Sequence, residues 1–183
     1  MKKRYFLFLI LSCLIIFGCK KNTKLEPKTE EIIKICDMAV LECYYHTTAE
    51  IVKGKKDKKQ WIDFDSTIKI GIDASKIKMT IDKTNINIKL PKAKLLGEPD
   101  IMNDTMKFLT DQTGVIKTKF TNDERSEALA KASEKVIEET QNNSQLMNNA
   151  ETRAKKIIEN YIVQIGALTG VTYTINWEML EES

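Results

Sequence analysis

The residues best suited to chemistry are one histidine and two aspartates on short alternating segments. His46 is the only histidine among the 183 residues, and Tyr44 lies two positions before it. Asp63 and Asp65 are also two residues apart. In a strand this spacing places side chains on one face, about 7 Å apart. Such a face can carry paired acids or bind a cation, and any nucleophile–histidine mechanism in this chain has to use His46.

Other catalytic signatures are absent from the sequence. It contains no G-x-S-x-G, no phosphate-binding glycine loop, no H-E-x-x-H and no dinucleotide fingerprint. Exposed strand faces commonly carry polar residues without any catalytic role. We therefore predict that Tyr44, His46, Asp63 and Asp65 form a solvated polar face and that the chain has no catalytic residue. An envelope hydrolase that uses these carboxylates is the alternative.

Cys36, Cys43 and His46 have a spacing that invites comparison with a metal site. A strand through this segment points Cys43 and His46 to opposite faces, and zinc needs three or four ligands. We predict no metal and no cofactor. A Cys36–Cys43 disulfide is allowed outside the cytoplasm. However, seven residues span about 10 Å in a helix and about 23 Å in a strand, whereas a bridge needs Cα atoms within about 7 Å. Two small buried side chains are expected unless a turn separates them.

The N-terminal half predicts strands, because apolar residues alternate with polar ones. The first strand covers 39–51 with its odd positions inward, and the second covers 61–72 with Ile62, Phe64 and Ile68 inward. Two further strands cover 77–81 and 86–90. The segment 95–120 lacks a clear pattern, although 111–114 is typical of a hairpin tip.

The C-terminal part predicts helices and then a strand. Thr121 and Glu124 fit a capping box at the start of a first helix. An apolar stripe from Leu146 to Leu168 predicts a second, amphipathic helix, which Gly170 would end. Residues 171–177 alternate again. The pattern predicts an α+β fold, with an antiparallel sheet from the N-terminal half, two C-terminal helices packed on one face and a final returning strand.

The N-terminus carries a targeting signal. Lys2, Lys3 and Arg4 precede an apolar run, 5–17, which ends in Gly18-Cys19. That run with Gly18 reaches only about 21 Å as a helix, short of the roughly 30 Å of a bilayer core. The ending is similar to a bacterial lipobox. We therefore expect 1–18 to be a lipoprotein signal peptide, and Cys19 to be the first mature residue and to carry diacylglycerol.

The remaining chain is expected to comprise a lipid-anchored tether, 19–31, and a single domain, 32–183. The signal holds three of the 29 basic residues and none of the 26 acidic ones, so the mature chain is formally neutral. This overall charge gives no indication of nucleic-acid binding. A basic loop lies between the first two strands and contains Lys53, Lys55, Lys56, Lys58 and Lys59. It is either a contact for anionic lipid or wall polymer, at about 1 kcal/mol per lysine, or a solvated hairpin tip.

Three segments together resemble a known family. They are 71–77 (GIDASKI), 88–94 (IKLPKAK) and 154–161 (AKKIIENY). In order and spacing they are similar to an uncharacterised family of bacterial membrane-anchored proteins, catalogued as domain of unknown function 4230. The resemblance runs from about Ile32 to Trp177 and carries over no activity, ligand or catalytic residue. The order of strands followed by a long helix also resembles band-seven (prohibitin-like) scaffolds, as an architectural analogy.

These observations favour a non-enzymatic, lipid-anchored domain on the extracytoplasmic face of a bacterial membrane. We expect it to bind or scaffold a protein or an envelope polymer there, and not to bind nucleic acid. The envelope hydrolase is one alternative. A membrane scaffold that self-associates through its C-terminal helices is the other.

Overall fold

The structure is a computed structural model that describes residues 25–52, 59–110 and 121–180. Its described part contains three α-helices, eight strands and a short 3-10 turn at Ala74–Lys76. The helices are α1 (Thr29–Asp37), α2 (Asn122–Gln141) and α3 (Ser144–Thr169). The strands are β1 (Leu41–Val52), β2 (Lys59–Ile72), β3 (Lys78–Asp82), β4 (Asn85–Leu90), β5 (Ala93–Leu95), β6 (Asp100–Ile101), β7 (Lys107–Thr110) and β8 (Thr174–Met179).

The first sheet is organised around β2. Strand β1 pairs antiparallel with β2 in one unbroken register, from Leu41 opposite Ile70 to Val52 opposite Lys59. On the other side of β2, the short strands β5, β6 and β7 follow one another and are all antiparallel to it. They behave as one interrupted strand, because the Leu96 amide donates to the Lys69 carbonyl at 2.8 Å and the Met102 amide to the Asp65 carbonyl at 2.9 Å.

The second sheet has the order β3-β4-β8. Strands β3 and β4 form a tight antiparallel hairpin in which Lys83 adopts a positive φ of 56°. The chain then leaves this sheet and returns through α3, so that β8 lies parallel to β4 with Ile86 opposite Ile175. This parallel neighbour requires a long connection, which the segment from β5 to α3 supplies.

Helices cover both sheets, and α3 also contacts β2 and β5 of the first sheet. Ala128, Ala132 and Val136 of α2 are fully buried against β1 and β2. The second core packs α3 and α1 on the three-stranded sheet and is formed by buried aliphatic residues of these elements: Ile32, Ile86, Ile88, Leu90, Ala154, Ile158 and Ile162. Burial every fourth residue of α3 matches the 3.6-residue helical period.

The predicted α+β class, the two C-terminal helices and the final strand are confirmed. The inward positions of the alternating segments are confirmed as well, since Ile62, Phe64 and Ile70 are fully buried. The predicted capping box is present, with the Glu124 amide 3.2 Å from Thr121 Oγ1 and the Thr121 amide 3.0 Å from Glu124 Oε2. The division of the strands between two sheets is a feature that the alternation did not indicate.

Two details differ from the sequence-based expectation. Helix α1 begins at Thr29, so the last three residues assigned to the tether are helical. The acidic residues Glu30 and Glu31 in its first turn favour this start, because they face the positive end of the helix dipole. The sequence predicts Leu168 in the buried stripe of α3, but this residue is 76% exposed. Leu168 lies in the last turn of the helix, beyond Gly166, which is the last buried residue.

Gly170 ends α3 as predicted, with a positive φ of 70° that suits glycine. The expected hairpin tip at 111–114 lies outside the described residues. No helix in the described part of the chain is long and apolar enough to cross a membrane.

Candidate functional site

The β1–β2 register brings the predicted polar residues together on the outer face of the hairpin. His46 lies directly opposite Asp65, Thr48 opposite Asp63, and Tyr44 opposite Thr67. The residues between them point inward to the core beneath α2, because successive strand residues alternate between faces. Tyr44, His46, Asp63 and Asp65 therefore share one face of the hairpin.

The centre of this face is the histidine, held between two carboxylates. His46 Nδ1 lies 2.7 Å from Asp65 Oδ1, and His46 Nε2 lies 3.3 Å from Asp63 Oδ1. Thr48 Oγ1 donates a hydrogen bond to the same Asp63 oxygen at 3.2 Å. The side chains of His46, Asp63 and Asp65 are 69%, 20% and 42% exposed. We call these three residues the His46 cluster.

This arrangement favours the charged imidazolium. An ionised carboxylate only accepts hydrogen bonds, so both ring nitrogens of His46 have to donate to satisfy both partners. The hydrogen bond to Asp65 raises the pKa of His46 above its ordinary value, and the charge of Asp63 adds to the effect. The positive charge of Lys107 acts in the opposite direction on the same pKa. The cluster is therefore a solvated ion pair of one cation with two anions.

The position of Asp65 is fixed by the interrupted strand on the far side of β2. The Asp65 amide donates to Thr105 Oγ1 at 2.9 Å, and that hydroxyl donates to the Met102 carbonyl at 2.8 Å. Lys107 lies opposite Asp63 in the β2–β7 register. Sequence reasoning missed Thr105 and Lys107, because they lie in a segment without regular alternation. Thr48 could have been predicted from the sequence, because it lies two residues after His46 and therefore on the same face of the strand.

The geometry of the cluster does not favour catalysis. A general base needs a ring nitrogen with a free lone pair, and here both nitrogens face carboxylates. The hydroxyl of Thr48, on the same face as His46, donates its hydrogen bond to Asp63 and not to the ring. The alternative hydrolase requires a cleft around these side chains, and instead they stand on an exposed sheet face. Two open clefts of about 570 and 550 Å³ lie along the C-terminal half of α2, and no residue of the cluster lines them.

Both described cysteines are free thiols. Cys36 is buried in the core beside α3, and burial raises the pKa of its thiol to about 11. Cys43 packs against the other core, beneath α2, and is half-buried. It faces inward whereas His46 faces outward, as the strand parity predicted. Within the described residues, no group of three histidine, cysteine, aspartate or glutamate side chains could hold a metal ion.

Most of the remaining predicted site residues lie outside the described part of the chain. Cys19 lies outside the described residues, and so do Lys53, Lys55, Lys56 and Lys58 of the basic loop. Lys59 is the first residue of β2, opposite Val52. Tyr44 is 74% exposed on the outer face of β1, two residues from His46.

The described chain begins next to α3. The Lys28 amide donates a 3.2 Å hydrogen bond to the hydroxyl of Tyr161, which fixes the start of α1 on the long helix. Nine residues separate Lys28 from Cys19 in the sequence. An extended chain of that length reaches about 30 Å, which is the greatest distance between the Cys19 thiol and this edge of the domain.

Comparison with known proteins identifies a family and nothing more specific. No curated protein and no solved structure matches the chain. A family model described as "Protein of unknown function (DUF4230)" matches residues 30–173, which run from the second residue of α1 to the residue before β8. The three sequence segments that indicated this resemblance all lie within the match, and the chain belongs to the DUF4230 family.

Proposed function

We propose that this protein is a lipid-anchored domain on the extracytoplasmic face of a bacterial membrane, where it binds or scaffolds a partner without catalysing a reaction. The observation that carries the proposal is the order of residues at the N-terminus. A basic start, an apolar run and Gly18-Cys19 are followed directly by a short polar segment and a folded domain. Two acyl chains on Cys19 would supply stable membrane attachment, because a single chain binds only reversibly.

The length of the tether supports a role close to the membrane. Since Lys28 is fixed to Tyr161, the α1–α3 side of the domain stays within about 30 Å of the anchored thiol. A partner bound by this protein would therefore be held near the bilayer surface. This restriction raises the local concentration of the two molecules without adding any contact between them.

A binding role fits the His46 cluster better than a catalytic role does. A fixed imidazolium between two carboxylates presents alternating charge on a rigid sheet, and Tyr44 adds an exposed aromatic ring beside it. Aromatic residues are enriched where proteins contact partners, and charged residues lie mostly at the rim of such contacts, where they favour the correct partner. The basic loop, Lys53 to Lys59, is a second candidate contact, for anionic lipid or wall polymer.

The anchor is tested by metabolic labelling with a fatty-acid analogue, followed by gel electrophoresis of the full chain. Cys19→Ser should abolish the label and leave the signal peptide attached, so that the protein migrates as the longer precursor. Cys13→Ser is the matched control, because Cys13 lies in the apolar run of the signal. It should keep both the label and normal processing. Labelling that survives Cys19→Ser would contradict the proposed anchor.

The non-catalytic role is tested separately with the purified protein. Hydrolysis of envelope substrates should be undetectable, or should be unaffected by His46→Ala, Asp63→Asn and Asp65→Asn. Lys156→Ala, at an exposed position of α3, is the control for changes in surface charge. An activity that disappears in the three cluster variants and persists in the control would establish the hydrolase alternative.

A further inference from the structure

Strand β1 lies at the edge of its sheet. Strand β2 occupies one side of β1, and no residue of the described ranges pairs with the other side. The strand has 12 residues, pairs with β2 without a bulge, and contains neither lysine nor proline. Natural proteins normally protect an exposed edge with a bulge, a proline, charged side chains (lysine above all) or a short strand. Of these features β1 has only the charges of Glu42 and Glu50, so the edge can accept a strand that pairs with those charges.

The two faces of β1 differ in what an added strand would meet. The inner face is covered by α2, and Thr47 Oγ1 donates a 2.9 Å hydrogen bond to Glu139 Oε2 of that helix. The outer face exposes polar side chains and the ring of Tyr44. An incoming strand would therefore extend the sheet sideways, with backbone hydrogen bonds as its main contacts.

The charges along β1 favour a second copy of the same strand. In an antiparallel pair related by a two-fold axis at Tyr44, Glu42 lies opposite His46 of the second copy, and the same contact occurs twice. Both ring nitrogens of His46 face carboxylates, which favours the imidazolium, so in this register each Glu42 lies across from a positive ring and not from another carboxylate. Lys69, opposite Glu42 on β2, balances the charge at that position within each copy.

Other registers are less favourable. An axis at His46 sets the two histidines against each other and Glu42 against Glu50. An axis at Thr48 also sets His46 opposite a glutamate, Glu50, but it brings Asp63, which is hydrogen-bonded to Thr48, towards its own counterpart. The axis at Tyr44 avoids both conflicts. It also covers the Tyr44 ring, which is 74% exposed in the single chain.

We propose that two copies of this protein pair through the free edges of β1, antiparallel and about a two-fold axis at Tyr44, to form one sheet that runs across both domains. This pairing goes beyond the proposed function and does not depend on the lipid anchor, although anchoring would concentrate the copies on one surface. Such an interface is isologous, because the same strand contributes to both halves.

Disulfide trapping in the full chain tests the pairing and its register. Cα atoms of residues opposite each other in an antiparallel pair lie about 4.5 to 5.5 Å apart, within the reach of a disulfide. Tyr44→Cys should therefore form a covalent dimer on mild oxidation in the membranes of expressing cells. Thr48→Cys should not, because eight strand residues, about 27 Å, would separate the two thiols. Val163→Cys, at an exposed position on α3, is the control for random collision.

Each outcome of this trapping is decisive. A dimer with Tyr44→Cys alone supports the proposal. A dimer with Thr48→Cys alone overturns the axis, and equal yields at all three positions overturn the interface. An adduct of Tyr44→Cys with a different protein shows that the edge takes another partner. A Tyr44→Cys chain that stays monomeric shows that the edge does not pair between copies.

A charge variant tests the contact between Glu42 and His46 independently. In the Tyr44→Cys background, Glu42→Lys replaces two attractions by two repulsions, and we expect about a tenfold lower yield of dimer. Glu127→Lys introduces the same charge on the exposed side of α2 and should leave the yield unchanged. Unchanged circular dichroism would show that both variants are folded. An equal loss in both variants would overturn the proposed contact.

Discussion

His46 Nδ1 lies 2.7 Å from Asp65 Oδ1 across the β1–β2 hairpin, although 19 residues separate them in the sequence. The contact follows from the register, which pairs these two residues directly. Asp63 approaches the other ring nitrogen from the diagonal position. This one relationship accounts for the protonation state of the cluster and for its weak suitability as a catalytic base.

The cluster predicts a histidine that titrates above the ordinary range. Since His46 is the only histidine of the chain, a single imidazole resonance reports its pKa in a proton NMR titration. Asp65→Asn should lower this pKa the most, because the hydrogen bond to Asp65 is the largest cause of the shift. Asp63→Asn should lower it less. A wild-type pKa near 6.5 that neither substitution changes would contradict the geometry.

The same shift predicts how stability depends on pH. The pKa of His46 is higher in the folded protein than in the unfolded chain, so the folded state binds the proton more tightly. The stabilisation is fully present below the unfolded pKa, near 6.5, and is lost as pH rises through the folded pKa. Urea unfolding of wild-type and His46→Gln protein at several pH values checks this. The difference between them should shrink with increasing pH, and a constant difference would refute the linkage.

Two glycines should respond differently to an added methyl group. In Gly166→Ala the new Cβ would press against the carbonyl oxygen of Val171, whose amide is itself bonded to the Gly166 carbonyl at 3.0 Å. The added Cβ and the Val171 oxygen are both attached to backbone, so neither can move aside easily. We therefore expect a loss of about 1 to 3 kcal/mol in the free energy of unfolding.

Gly71→Ala is the matched comparison. Its Cβ would meet Leu96 Cδ1 at 2.7 Å, the end of a side chain that can rotate away, so the cost should be smaller. Chemical denaturation measures both variants. A stabilised Gly166→Ala protein, as helix propensity alone would give, would show that Val171 is not in contact.

Two buried hydroxyl groups, those of Ser66 and Thr140, provide a further test. Ser66 is fully buried, and within the described residues its hydroxyl has no hydrogen-bond partner. The Thr140 hydroxyl is equally buried but donates to the Val136 carbonyl at 2.6 Å. Ser66→Ala should leave stability unchanged or raise it by about 1 kcal/mol, whereas Thr140→Val should lower it by about 1 kcal/mol. Thermal unfolding of both variants distinguishes these effects, and the reverse order would be inconsistent with the described contacts.

Local pattern was sufficient for much of the fold. Alternation identified β1 and β2 and the face on which His46 and Asp65 lie, because inward positions repeat with a strict period of two. Thr121 marked the start of α2, because its hydroxyl can cap the helix, and Gly170 marked the end of α3, because glycine readily adopts a positive φ. The register that joins His46 to Asp65 did not follow from the pattern, since the sequence between the strands does not specify a turn type.

Features that depend on contacts between distant parts of the sequence could not be predicted from local patterns. Strands β5 to β7 are short and irregular, and they owe their conformation to pairing with β2, so Thr105 and Lys107 could not be assigned to the cluster. Strands β4 and β8 pair in the sheet, although β5 to α3 lie between them in the sequence, so their pairing could not be predicted from local pattern. Leu168 matched the apolar period of α3, but no buried position of the helix follows Gly166.

We propose that a lipid on Cys19 makes this domain a membrane-surface protein. The decisive measurement is mass spectrometry of the N-terminal peptide from protein purified out of native membranes. We expect a peptide that begins at Cys19 and carries diacylglycerol on its thiol. A peptide that begins at Met1, or one with an unmodified Cys19 from protein secreted into the medium, would contradict it.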